Sequence, residues 1–254
     1  MKRSFWIIGL LMLLLVGCGK PNLSNTEQSL APTEGQDVTE NESEETERQE
    51  IEDVASSWVK DLDIAQTTSQ IIIVSAEGSY GTVSMHTKGD DGIWKEEFSI
   101  SGRVGRKGVG KEKEGDEKTP VGVYRFTTAF GILPNPGITA LPYVKLDETH
   151  HWVDDSQSKY YNQMVSTRDV EKDWNSSEHL YKSVYSYKYV LALDYNAECV
   201  PGKGSAIFLH CPSKNNEGTS GCISIPEKTM CQVMQLLQPG CVIIIDEKEN
   251  ISNY

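Results

Sequence analysis

Positive charge is scarce in this sequence: 24 Lys and Arg stand against 37 Asp and Glu in 254 residues, a formal net charge of -13. Without a basic patch, a nucleic-acid partner is not expected, because phosphate binding needs clustered cations. Metal-ligand spacing is missing too. The six cysteines and five histidines include no Cys-x-x-Cys and no His-x-x-x-His, so no zinc site is expected. Internal repeats are absent, and no second linker interrupts the chain after its N-terminal region. Residues 56–248 therefore read as one domain with its own core, followed by a short tail over 249–254.

What is present at the N-terminus is a targeting pattern. Lys2 and Arg3 precede an apolar run from Phe5 to Val16, too short to span a bilayer comfortably. Leu15-Val16-Gly17-Cys18 closes it and resembles the lipobox of bacterial lipoproteins. That resemblance implies a signal peptide over 1–17, lipidation of Cys18, and a mature chain anchored by lipid outside the cytoplasmic membrane. From Gly19 to about Asp53 the chain is Ser, Thr, Pro, Gln and acid, with Glu40, Glu42, Glu44, Glu45, Glu47, Glu50, Glu52 and Asp53 crowded at the end. Such a segment buries too little apolar surface to offset chain entropy, so 18–55 is expected to be a disordered acidic tether. About 35 residues of coil span roughly 30 to 35 Å, and carboxylate repulsion extends them further.

The domain reads as mainly β. Val54, Trp58 and Leu62 predict a short leading helix docked by one face. Strands are predicted over 70–76, 81–87, 92–102, 121–129, 143–146, 187–195, 205–211, 221–225 and 241–246, rich in Val, Ile, Tyr and Phe and punctuated by Gly, Asp and Pro. One late helix is expected, with Pro226 at its first position, an apolar face of Met230, Val233, Met234 and Leu237, and a stop at Pro239-Gly240. Many short strands with few helices argue for a sandwich or closed barrel rather than a doubly wound fold. Residues 149–183, polar and aromatic, read as a long excursion over one face. The charged run Lys111 to Lys118 reads as a solvated loop.

The chemistry-bearing stretch is Ile207-Phe208-Leu209-His210-Cys211, followed after a loop by Thr219-Ser220-Gly221-Cys222-Ile223-Ser224-Ile225. A free cysteine, with a pKa of about 8.5, is only a few per cent thiolate at neutral pH, so a neighbouring imidazole that holds the proton supplies the activation a nucleophile needs. Strand side chains alternate, so His210 and Cys211 cannot both enter one site; His210 is assigned to the site and Cys211 to the core. Gly221 permits close approach of a substrate, and the amides near Gly221 and Cys222 are candidates for an oxyanion hole. Besides Cys222, the cysteines Cys199, Cys211, Cys231 and Cys241 allow three disulfide connectivities or none.

These residues resemble the signature of the L,D-transpeptidase catalytic domain, the YkuD-like family, whose histidine precedes a loop ending in a Ser/Thr-x-Gly-Cys turn. The resemblance extends through Arg103-Val104-Gly105-Arg106-Lys107-Gly108, Glu114-Gly115-Asp116-Glu117-Lys118-Thr119-Pro120-Val121-Gly122, Trp152-Val153-Asp154-Asp155 with Tyr161-Asn162, and Gly202-Lys203-Gly204-Ser205-Ala206-Ile207-Phe208-Leu209-His210. It implies a YkuD-like β-sandwich or barrel in which Cys222 is the nucleophile and His210 its base, with Gly221 and neighbouring amides holding the oxyanion. It also implies a substrate side formed by Ser220, Trp152, Tyr161 and Asn162. The activity implied is peptidoglycan L,D-transpeptidation through a Cys222 thioester on stem peptides, with no metal or organic cofactor. The alternatives are L,D-carboxypeptidase activity at the same site and a lipoprotein that binds wall peptides without turnover. Two departures bear on the substrate side: Ser220 and Ser224 stand where family members often carry a histidine and an Arg or Asn.

Overall fold

The computed structural model describes residues 58–215 and 218–254. The expected signal segment, Cys18, the acidic tether and Val54 lie outside them. Among the described residues the chain is mainly β, with strands β1 (Gln70–Glu77), β2 (Tyr80–Lys88), β3 (Trp94–Arg103), β4 (Gly122–Gly131), β5 (Tyr143–Lys145), β6 (His150–Val153), β7 (Met164–Ser166), β8 (Ser177–His179), β9 (Val190–Leu193), β10 (Phe208–His210), β11 (Ile223–Ser224) and β12 (Val242–Glu247), and one α-helix, α1 (Glu227–Leu236).

The main sheet runs β12-β1-β2-β3-β11-β10-β9-β4-β5, and β12 also pairs with β4, which closes eight strands into a barrel with β5 outside the ring. Strand β4 serves both purposes. Its first half pairs with β12, Val242 opposite Arg125, and its last residues pair with β5, Ala129 opposite Tyr143. Closure removes the open edges that short strands would otherwise expose.

Strands β1 and β12 are parallel neighbours and nearly continuous in Ile and Val. An unbroken apolar run calls for burial on both faces. Ile72, Val74, Ile243 and Ile245 enter the barrel core. The alternate residues Ile71, Ile73, Val242 and Ile244 pack outward against Val59, Leu62, Ala65 and Ile251. That outer cover comes from the leading turns Trp58–Asp61 and Asp63–Gln66 and from the last turn, Lys248–Asn253. The leading segment is thus two tight 3-10 turns rather than the predicted helix, and residues 249–254 are docked rather than a free tail. Ile64 N–H donates to the Tyr254 carbonyl at 2.8 Å, and the Tyr254 hydroxyl donates to Asp246 at 2.8 Å.

The late helix forms where the apolar spacing predicts it. Pro226 sits immediately before its first residue, and Met230, Val233 and Met234 are buried in the barrel core. The excursion differs from a plain loop. Strands β7-β6-β8 form a separate three-stranded antiparallel sheet, with His151 opposite both Val165 and His179. Strands of three or four residues are too short to show alternation against a polar background, so sequence periodicity did not mark them.

Candidate active site

Strands β10 and β11 run parallel and adjacent, with Leu209 opposite Ile223 and His210 opposite Ser224. Residues paired this way share a face, and faces alternate along each strand. Leu209, Cys211, Ile223 and Ile225 therefore point into the barrel core, while Phe208, His210, Cys222 and Ser224 take the opposite side. There a cleft of about 380 Å³ is lined by His210, Cys222, Ser220, Ser224, Arg106 and Glu178, among others. Two residues separated by an eleven-residue loop in sequence thus meet through strand register.

The His210 ring is buried. Its Nδ1 lies 2.5 Å from the Cys211 carbonyl, which accepts only, so Nδ1 carries the proton and Nε2 is left as the acceptor. The Tyr187 ring stands edge-on to the imidazole at 5.6 Å between centroids. Burial lowers the imidazole pKa to about 4 against the opposing pull of the Cys211 carbonyl, which keeps the ring neutral at pH 7.

The Cys222 thiol donates to the Ala206 carbonyl at 3.1 Å and makes no hydrogen bond to His210. Burial, with a further push from the Glu178 carboxylate, raises it to about 12, outweighing the Phe208 backbone and the Lys111 ammonium, which favour the thiolate. The pair is therefore a neutral thiol beside a neutral imidazole, not a preformed ion pair, because a thiolate and an imidazolium would both lose solvation here.

The turn before Cys222 is held by hydroxyls. Thr219 Oγ1 accepts the Gly221 N–H at 3.1 Å and donates to the Cys222 carbonyl at 2.5 Å. Gly221 N–H is thereby committed to Thr219. A side chain at Gly221 has no room: its Cβ would lie 3.0 Å from the Lys118 carbonyl and 3.1 Å from Ile207 Cδ1, with φ at +148°. The same point lies 3.6 Å from Lys111 Nζ.

Lys111 overturns the solvated-loop expectation. Its side chain is 2% exposed and paired to Asp116 at 2.8 Å. Burial alone would raise the Asp116 carboxyl, but the Lys111 ammonium and the backbone N–H groups of Lys113, Glu112 and Lys118 hold it well below the usual carboxylate range. The chain just before this run is laced to the turn before Cys222, since Arg106 N–H donates to the Thr219 carbonyl at 2.9 Å and Thr219 N–H to that of Val104 at 3.0 Å, and Lys107 N–H joins it to the run at the Glu117 carbonyl at 3.1 Å. Nothing in a run of alternating charges distinguishes one buried pair from a solvated face, so sequence reading missed it.

The remaining candidates divide. Ser220 lines the cleft, and its hydroxyl accepts from Arg106 at 3.1 Å. Trp152, Tyr161 and Asn162 are not among the cleft-lining residues. Trp152 packs on Phe130 and Phe208 and donates to Asn162 Oδ1 at 3.0 Å. Tyr161 is buried and donates to Glu114 at 2.7 Å. Asn162 Oδ1 also accepts the Ala206 N–H at 3.1 Å, and its Nδ2 donates to the Tyr195 and Asn196 carbonyls. Ala206 is held at φ +55°, a left-handed conformation uncommon for a residue with a side chain, and its carbonyl is the one that meets Cys222. The excursion thus reaches the thiol through Asn162 and Ala206. All five described cysteines are free.

The closed barrel thus carries a cysteine and a histidine on one wall of a cleft. Residues 69–245 match the YkuD family, the L,D-transpeptidase catalytic domain, and the chain belongs to that family, whose function lies in peptidoglycan. Among solved structures, the helical cell shape determining protein Pgp2 from Campylobacter jejuni is similar, with a TM-score of 0.40 and 19% identity over 71% of this chain and 48% of that one. The chain therefore spans about half the length of that protein. Comparison with curated proteins gives no match.

Proposed function

We propose that this protein is a peptidoglycan L,D-transpeptidase in which Cys222 is the nucleophile and His210 its base. The observation that supports the reading is that both line one cleft on the same face of the β10 and β11 pair, with His210 Nδ1 on a backbone carbonyl so that Nε2 is the acceptor. With both groups neutral at the start, the proton leaves Cys222 Sγ for His210 Nε2 as sulfur attacks the carbonyl of the L-centre of the diamino acid. The Cys222 N–H receives the developing oxyanion. Collapse breaks the bond to the terminal D-residue, whose amine takes the proton from His210, and a thioester remains. An amine of a second stem peptide then attacks the thioester, and the thiol is restored. No metal or organic cofactor enters these steps.

The Leu15-Val16-Gly17-Cys18 pattern supports lipid anchoring at Cys18 outside the cytoplasmic membrane, with the acidic segment letting the domain reach the wall. The test of the acyl-transfer reading is intact-mass measurement of the protein incubated with a soluble tetrapeptide stem. A mass increase equal to the tripeptide acyl group, erased by Cys222→Ala, is expected. Product formation that persists in that variant overturns the assignment.

A further inference from the structure

One acid in the cleft has no part in the steps above. Glu178, on β8, lines the same wall as Cys222 and His210. Its Oε2 accepts the Tyr187 hydroxyl at 3.2 Å, and that tyrosine is the one packed edge-on against His210. Among the described residues no cation pairs with Glu178, and its other carboxylate oxygen has no protein hydrogen bond. Nor is the neighbourhood compensated, since the buried Asp154 Oδ1 also lacks a partner. Burial pushes the Glu178 carboxyl up, Tyr187 opposes this, and Asp154 and Glu114 add to it. Two cations line the cleft: Arg106 is occupied by Glu117 and Ser220, and Lys214 forms no ion pair with Glu178 among the described residues. A partly desolvated carboxyl with a free oxygen and no countercharge is a site that favours a cation from outside.

The acyl-transfer chemistry supplies one. Aminolysis of a thioester needs a neutral amine, whereas a diamino-acid side chain, with a pKa of about 10 like that of lysine, arrives protonated at pH 7. His210 can carry the single proton exchanged between nitrogen and sulfur, but the surplus proton of the ammonium needs another acceptor. We infer that Glu178 receives the ammonium of the acceptor stem peptide and takes its surplus proton, and so directs the acyl-enzyme toward cross-linking rather than hydrolysis. This rests on the acyl-enzyme reading above.

The balance is complete. The ammonium gives one proton to the Glu178 carboxylate, and the neutral amine attacks the thioester carbonyl. His210 Nε2 takes a proton from that nitrogen as the carbon–sulfur bond breaks, and the imidazolium returns it to the Cys222 thiolate. Glu178 releases its proton to solvent as the product leaves. Desolvation favours the neutral forms of both groups, against the mutual attraction that holds the ion pair, and so brings their proton affinities together.

The experiment compares the full chain with its Glu178→Gln variant, using a soluble tetrapeptide stem as donor and a second stem peptide as acceptor, with cross-linked and hydrolysed products counted by mass spectrometry. At pH 7 the ratio of cross-link to hydrolysis is expected to fall roughly 10- to 100-fold, toward the lower range for a positioned proton transfer. At pH 10, where much of the acceptor is already free amine, the ratio should return toward the wild-type value. Acylation of Cys222 by a carbapenem should be retained, since it precedes the step assigned to Glu178 and loss of the carboxylate removes a charge that disfavours the thiolate. An unchanged ratio at pH 7, an equal deficit at both pH values, or a parallel collapse of acylation overturns the inference. Absence of any adduct on the wild-type chain overturns the acyl-enzyme reading itself, a distinct outcome.

Discussion

The two faces of the β10 and β11 pair carry two cysteines whose thiols are both pushed up to about 12 by burial, yet their surroundings differ in kind. Cys211 is 1% exposed in the barrel core, its Sγ 3.8 Å from the Tyr189 carbonyl, with aliphatic neighbours. Cys222 borders a cleft and lies on the same wall as a histidine whose Nδ1 is held by a backbone carbonyl, which leaves Nε2 as the acceptor. The resting proton affinity of a thiol therefore does not separate the core cysteine from the proposed nucleophile. What separates them is the proton acceptor and the open volume on one face, which one residue of strand phase decides.

Substitutions can break this contrast. The largest effect is expected from Cys222→Ala, which should reduce turnover of stem peptides to background, while Cys211→Ala keeps most of it. His210→Ala should come next, slowing acylation of Cys222 by on the order of 10²- to 10⁴-fold, the range for a positioned base. The acid limb of the wild-type acylation profile gives a finer reading of the same residue. Below its folded pKa the imidazole is already protonated and cannot accept, so the limb should lie near pH 4, where burial sets it, rather than near 6.5. A limb near 6.5 would show that His210 is solvated in the working protein.

The pair behind the Cys222 turn sharpens the contrast from another side. Asp116→Asn leaves the Lys111 ammonium buried without a partner and should cost about 3 to 5 kcal/mol by thermal or urea unfolding. Asp116 is held below its unfolded value, so its contribution is present above about pH 4 and lost as pH falls through the folded value. The variant should flatten that acid loss; an equally steep loss would place its origin elsewhere. The smallest effect belongs to Cys211→Ala, about 1 to 2 kcal/mol for a small buried side chain, measured by the same unfolding.

How much of this was legible in sequence follows from the length scale of each feature. The buried strands β1 and β12 announce themselves as runs of Ile and Val, and the Met230, Val233 and Met234 spacing marks α1. The facing of His210 against Cys211 follows from strand alternation alone. The excursion strands, at three or four residues, fell below any period, and only the family resemblance pointed to Trp152, Tyr161 and Asn162. Their placement in a hydrogen-bonded support behind Ala206 depends on contacts across more than forty residues of chain. The backbone carbonyl that fixes the His210 tautomer is also invisible in sequence, since every residue carries one.

The central claim is that Cys222, and not its neighbour across the sheet, forms the acyl bond. Intact-mass measurement after exposure to a carbapenem, followed by peptide mapping, tests it most directly. One adduct per chain on the peptide containing Cys222, lost in Cys222→Ala and retained in Cys211→Ala, is the predicted result. An adduct mapped to Cys211 would reverse the strand facing and contradict the mechanism built on it.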